Sequence, residues 1–150
     1  MKVKHSLLVI GWREYIALPQ LGIGEIKVKI DTGARSSALH AFEIELFRCR
    51  GKDMVRFKVH PYQRNPHYTI TAEAQLLDQR QVRNSGGHTQ LRPVIQTGIE
   101  IGEYCWPIEL TLTNRDVMGF RMLLGRQAVK NRFLVHPGKS FLFGQPGAVH

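Results

Sequence analysis

Asp31 stands at the end of an alternating run, Ile26-Lys27-Val28-Lys29-Ile30, and is followed at once by Thr32 and Gly33. The alternation puts Ile26, Val28 and Ile30 on one face of a strand, so the pattern delivers a carboxylate to a turn at the mouth of an apolar strand. Such a carboxylate becomes chemically useful when a second one is brought beside it. Two carboxylates about 3 Å apart cannot both ionise and so share a proton; one acts as base on a water while the other acts as acid toward a carbonyl oxygen. That is peptide-bond hydrolysis without a metal or a nucleophilic side chain. In this scheme Thr32 is expected to help fix the turn through its hydroxyl, and Gly33 to let the backbone close behind the carboxylate. Residue usage alone gives this tripeptide in about 3% of chains of this length, so other positions must decide.

Other chemistries have weaker footing. Seven histidines, His5, His40, His60, His67, His88, His136 and His150, are dispersed, and neither HExxH nor HxxEH occurs. A site built in space from His60 and His67 would still need a third ligand and its supporting shell. No GxxxxGK[ST] loop is present, and Gly22 and Gly24 precede a strand rather than joining strand to helix, so they read as a turn. Cys49 and Cys105 are the only cysteines, without a CxxC pair, and are expected to be small buried hydrophobes rather than a disulfide or thiolate zinc site.

The elements that must position Asp31 read as short strands. Alternation recurs in "FEIELF", "VRFKVH", "PVIQTGIEIG" and "WPIELTLT", each bounded by turn residues, and "FRMLL" (120–124) reads as a buried strand. One short helix is expected from Arg126 to Asn131, then a hairpin turning at Pro137-Gly138. The segment 79–92 breaks the pattern at Asn84, Ser85, Gly86 and Gly87, a conformationally free centre that suits a hairpin tip or a mobile cover over a cleft. With 150 residues, 43% hydrophobic, the chain is expected to be a single mostly-β domain over residues 1–150, a barrel or sandwich. Trp12, Tyr104 and Trp106 are expected to fill the core or an interface, and His40 to be a satisfied edge histidine. Lys and Arg outnumber Asp and Glu by 21 to 12, giving a formal charge of +9 that favours an acidic partner. The only early apolar run, Leu7 to Ile10, is too short for a secretory segment or a membrane span, so the expectation is a cytoplasmic protein with no membrane partner.

Three features in one order carry a resemblance. "IDTGA" (30–34) resembles the active-site loop of retroviral-type aspartic proteases, "SGGH" (85–88) falls where they place a glycine-rich flap, and "MLLGRQAVKNRFLV" (122–135) is similar to their Gly-Arg strand and helix. More closely, "DTGARSSALHA", "VRNSGGHTQLRPVI", "WPIELTLTNRDVMGFRMLLGR" and "RFLVHPGKSFL" resemble a bacterial family catalogued as ATP-dependent zinc proteases and also described as retropepsin-like aspartic endopeptidases. The resemblance implies an all-β fold, a small closed acid-protease barrel with one short C-terminal helix, and an aspartic endopeptidase with Asp31, Thr32 and Gly33 as catalytic loop. It implies substrate contacts from Ala34, Arg35, Ser85, Gly86, Gly87 and His88, and structural support from Leu124, Gly125 and Arg126. Zinc and ATP are implied by the family label alone; the motifs support no metal and no cofactor.

Only one Asp-Thr-Gly is present, and Asp53, Asp78 and Asp116 lack a following Thr-Gly or Ser-Gly, so the second carboxylate is expected from a homodimer with a twofold axis through the site. One position departs from the retroviral pattern. Where those enzymes carry an acid that pairs with the arginine of the Gly-Arg motif, this chain has Arg35, facing Arg126. Either each finds another acid, such as Glu43 or Asp116, or Arg35 turns into the cleft. With Arg80, Arg83 and Arg92 beside the flap, the second option favours an acidic peptide substrate, because guanidinium binds carboxylate bidentately. Members of the family are often found beside ATP-grasp enzymes that add amino acids to peptides. The alternatives are a peptide-binding module of the same fold with little turnover, a zinc-dependent peptidase as the label says, and a basic barrel binding nucleic acid, for which only "FRCRGKDMVRFKVHPYQR" offers interleaved aromatics and cations.

Overall fold

A computed structural model describes residues 7–62, 65–83, 86–114 and 119–143. Strands dominate it: β1 (Leu8–Gly11), β2 (Arg13–Leu18), β3 (Ile23–Asp31), β4 (Ser37–His40), β5 (Phe42–Cys49), β6 (Lys52–Val59), β7 (Ile70–Arg83), β8 (Thr89–Ile101), β9 (Tyr104–Thr113), β10 (Met122–Gly125) and β11 (Phe133–His136). A 3-10 turn (Pro19–Leu21) and one helix, α1 (Arg126–Val129), complete the described elements. The main sheet runs β2-β3-β10-β4-β9-β8-β7-β6-β5, and a further pairing of β2 with β8 closes the first six strands into a barrel. The expected all-β barrel with one short late helix is therefore what the chain forms.

Period-two burial explains the closure. In β3 Ile26, Val28 and Ile30 point inward and Lys27 and Lys29 lie half-exposed, while β9 alternates Trp106, Ile108, Leu110 and Leu112 into the same core. All four residues of β10 are buried, as suits a strand between β3 and β4, and Leu39 of β4 joins them. The three strands beyond β8 form a curled extension whose charged residues pair across the ladder: Arg48 with Asp53, Arg56 with Glu45 and Glu73, Lys58 with Glu43. Arg48, Arg56 and Lys58 belong to the stretch that could have served nucleic acid, and each of these three has an acid on it.

Three expectations need correction. The helix ends at Val129, because Lys130 takes extended backbone and Asn131 adopts a left-handed φ of 64°, a conformation asparagine tolerates, to launch β11. No hairpin follows Pro137-Gly138 among the described residues. Instead β11 pairs in parallel with β1, and the chain beyond it is tied to β2 through Phe141 N–H donating to the Arg13 carbonyl. That tie is reinforced by Glu14, which sits at an inward position of β2 with no exposed surface; its carboxylate accepts N–H from Gly11 (2.6 Å), Leu142 (2.9 Å) and Phe143 (3.1 Å). Lastly, both cysteines are exposed: Cys49 ends the edge strand β5, and Cys105 occupies the outward phase of β9 beside inward Trp106. Trp106 is buried as expected, whereas Trp12 is half-buried and Tyr104 lies at the surface. No described helix is long and apolar enough to cross a membrane.

Candidate active site

Asp31 is the last residue of β3, half-buried, at the point where β3 leaves the barrel. Its Oδ1 accepts the Gly33 N–H at 3.0 Å, and its carbonyl accepts the Ala34 N–H at 3.2 Å, so the turn folds back on the carboxylate. A Cβ at position 33 would lie 3.2 Å from Oδ1, tighter than most such contacts, so a side chain there would press on the carboxylate. The expectation for Thr32 is corrected. Its side chain is exposed, and among the described residues its hydroxyl makes no hydrogen bond within the chain; the Asp31–Gly33 bond holds the turn instead.

Leu124, Gly125 and Arg126 pass directly beneath this loop. β10 runs parallel to β3 with Leu124 opposite Ile30 and Gly125 opposite Asp31. Gly125 N–H donates to Ser37 Oγ (3.0 Å), Arg126 N–H to the Ala34 carbonyl (2.7 Å) and Gln127 N–H to the Arg35 carbonyl (3.1 Å). At Gly125 a Cβ would meet the Ser36 carbonyl oxygen at 2.5 Å and its carbon at 2.6 Å, so the two backbones approach as closely as only glycine allows. The Arg126 guanidinium donates to the Thr32 carbonyl at 3.0 Å. Arg126 thus anchors the loop through a carbonyl rather than through another acid.

Arg35 takes the other course. Its backbone is held by Gln127, its side chain is exposed, and it lines a cavity of about 710 Å³ together with Arg80, Trp106, Glu109 and Arg132. Glu43, one candidate acid for it, pairs with Lys58 on the far sheet; Asp116, the other, lies outside the described residues. Gly86, Gly87 and His88 are exposed at the tip of the β7–β8 hairpin, where Arg83 is paired with Thr89 and Gly87 takes a φ of 83°; Ser85 lies outside the described residues. Of the other aspartates, Asp53 is held by Arg48 and Asp78 by Arg80.

The donor set does not fit a catalytic zinc. Among the described residues no three His, Cys, Asp or Glu side chains gather in one place. His60 Nδ1 is engaged with the Tyr68 carbonyl and the Thr69 hydroxyl, and His40 lies beside the Arg121 guanidinium. Gly22, at a φ of 75°, caps the three-residue 3-10 turn. No step below runs through zinc or ATP.

The sequence profile of the RimB-like group, described as "retropepsin-like aspartic endopeptidase RimB", matches residues 9–146. The chain belongs to this family. Among curated relatives of this RimB-like chain are probable alpha-L-glutamate ligases of Shewanella halifaxensis (strain HAW-EB4), 43% identical over 98% of this chain and 32% of the relative, and of Parasynechococcus marenigrum (strain WH8102), 47% identical over 91% and 29%. The chain spans about a third of the length of these relatives. Among solved structures it is similar to Lpg0085 of Legionella pneumophila, a protein of unknown function, at a TM-score of 0.75 and 28% identity over 91% of this chain and 98% of that one.

The sequence singles out the Asp31 turn, and the family resemblance adds Gly125 and Arg126, which the fold places beneath it. Sequence reasoning missed Arg132, Trp106 and Glu109, which lie far from the loop along the chain and meet Arg35 only in the folded barrel. It also missed Glu14, a charged residue that follows shortly after the apolar run ending at Ile10.

Proposed function

We propose that this chain is a metal-independent aspartic endopeptidase that acts as a homodimer on acidic, α-linked glutamyl peptides. The observation that carries the reading is the Asp31 loop: one carboxylate, oriented by Gly33 N–H at 3.0 Å, on a turn pinned from below by Gly125 and Arg126. A twofold axis beside the exposed Thr32 brings Asp31 against its own symmetry mate. The pair then shares one proton. The ionised member takes a proton from water, whose oxygen attacks the scissile carbonyl; the protonated member gives its proton to the carbonyl oxygen. Collapse of the tetrahedral intermediate passes a proton to the leaving amine and restores the shared state. The Gly86–Gly87 hairpin tip covers the peptide from above.

The second chain has a surface to meet. β1 and β11 form a separate two-stranded sheet that packs Ile10 and Phe133 into the barrel's core and leaves Leu8, Val9 and Leu134 exposed. A partner's copy of the same sheet would cover it. Support for glutamyl peptides comes from the arginines about the cleft and from the relatives, whose names make them ligases of glutamate and within which a region similar to this chain forms about a third.

The test is cleavage of an α-linked oligoglutamate by wild type and Asp31→Asn, each with and without a strong chelator, across pH. The expected result is cleavage that ignores chelator, disappears in Asp31→Asn and follows a bell-shaped pH profile, because a dyad works only while singly protonated. Cleavage retained by Asp31→Asn, or abolished by chelator, overturns the mechanism. Binding without cleavage in wild type would leave the peptide-binding module as the function.

A further inference from the structure

The cavity beside Arg35 has a chemistry of its own. Three guanidinium groups, Arg35, Arg80 and Arg132, line it against one carboxylate, Glu109, and Glu109 is committed to Arg80 at 2.7 Å. That bond raises the pKa of Arg80, the sign expected of a cation stabilised by its acid. Arg35 and Arg132 have no acidic partner among the described residues. Arg132 is nevertheless held in place, its guanidinium stacked 5.1 Å from the centre of the Trp106 ring, and the Trp106 indole N–H is fixed in turn by the Ala128 carbonyl at 3.0 Å. A planar cation braced on an aromatic face is pre-oriented to receive a carboxylate through two parallel N–H bonds. Apolar wall from Pro107 and Ile108 suits the methylenes that would lead to such a carboxylate. The volume of about 710 Å³ lies in the range of specific ligand pockets.

Position along the peptide follows from the backbone. Arg35 stands four residues past Asp31, and its carbonyl is fixed to Gln127 N–H, so the site begins beside the reacting centre and leads away from it. We propose that this groove is a subsite for a glutamate side chain remote from the bond that is cut, with Arg35 and Arg132 as its ligands and Glu109 as an internal competitor that neutralises Arg80. The inference rests on the peptide-cleavage reading for its substrate class, and it assigns specificity to residues that take no part in the hydrolysis. Glu109 has a distinct role here. By occupying Arg80 it keeps the groove from binding any anion indiscriminately, and removing its charge is expected to strengthen binding while loosening selectivity.

The experiment uses the full chain carrying Asp31→Asn, so that binding is read without turnover. A fluorescently labelled α-linked hexaglutamate and its hexaglutamine counterpart are titrated by anisotropy at one fixed ionic strength. Expected are at least about tenfold tighter binding of the glutamate peptide, a loss of about tenfold on Arg35→Gln or Arg132→Gln, as loss of a charge-assisted hydrogen bond implies, and a gain of several-fold on Glu109→Gln. Lys52→Gln, on the far sheet, serves as the equal-charge control and is expected to change nothing. The proposal is overturned if Arg35→Gln binds like the parent, or if Lys52→Gln loses as much as the groove variants, which would mean that net charge alone attracts the peptide. Arg132 also packs on Trp106, so if Arg132→Gln fails to fold the Arg35→Gln result decides. Failure of wild type to cleave sinks the protease reading but leaves these binding ratios standing, so the two failures are distinguishable.

Discussion

Replacing Gly125 by alanine tests how the catalytic loop is built. The backbone there is extended, with φ −88° and ψ 175°, so alanine meets no torsional objection; the objection is space. A Cβ would stand 2.5 Å from the Ser36 carbonyl oxygen, whereas ordinary contact begins at 3.4 Å, so Ser36 must retreat by about 0.9 Å. Neither side can yield freely. Gly125 is locked to β3 opposite Asp31 and to Ser37 Oγ, and the segment from Ala34 to Ser36 is held by Arg126 and Gln127. Forcing atoms into a packed site costs about 1–3 kcal/mol, and backbone on both sides puts this case near ~3 kcal/mol. For a chain of this size that is a fall in Tm of about 6–12 °C. The same displacement acts on the turn that carries Asp31, where a shift near 1 Å costs about a hundredfold in rate. Calorimetry and cleavage of oligoglutamate measure the two effects side by side, with Gly24→Ala as control, because a Cβ there meets nothing within 4 Å. A Gly125→Ala protein melting within 2 °C of wild type, a bound set by about 1 kcal/mol in this size class, would refute the steric account.

Two further outcomes follow from other parts of the molecule. Glu14→Gln keeps the size of the buried carboxylate but turns an N–H₂ toward one of the three backbone N–H groups it now accepts, so a loss of about 2–4 kcal/mol is expected in urea unfolding, against almost none for Glu45→Gln on the exposed sheet. Mixing wild type with an excess of Asp31→Asn chains should suppress cleavage nearly in proportion to the mixed dimers formed, and cleavage per chain should fall on dilution; activity indifferent to both would mean that a single chain completes the site.

What could be read from the sequence follows a physical division. Asp31 and Gly33 declare themselves because each answers a requirement within a few residues, a strand end and a turn folded onto a carboxylate, whereas Gly125, whose close crossing is with Ser36 far back in the chain, is legible only through the family resemblance. The alternation of β3 and β9 is likewise local, and it suffices for a mostly-β domain, while the choice of a closed barrel over a sandwich comes from the family resemblance. The part Arg132 and Trp106 play at the groove is silent because it comes from meeting Arg35, far back along the chain from both, and no periodicity marks such a meeting. Glu14 misleads, since a charged residue at an inward position breaks the hydrophobic pattern, and only the returning chain at Leu142 and Phe143 shows what satisfies it. The cysteines were read from the general habit of their side chain, and strand phase overruled it at Cys105.

The closing of the barrel has a consequence for its motions. β2 meets β8 at a single residue pair, Ala17 with Glu100, reinforced by the Gln20 side chain accepting the Gly98 N–H at 2.8 Å. A ring fastened by so short a clasp opens there before it opens anywhere else. Amides along that seam should exchange with solvent ahead of those at the β3–β10 crossing, through an opening smaller than global unfolding. Breathing is thereby expected at the end of the barrel where β3 begins, opposite the end where β3 delivers Asp31, and the crossing beneath the carboxylate should stay shut while the clasp lets go.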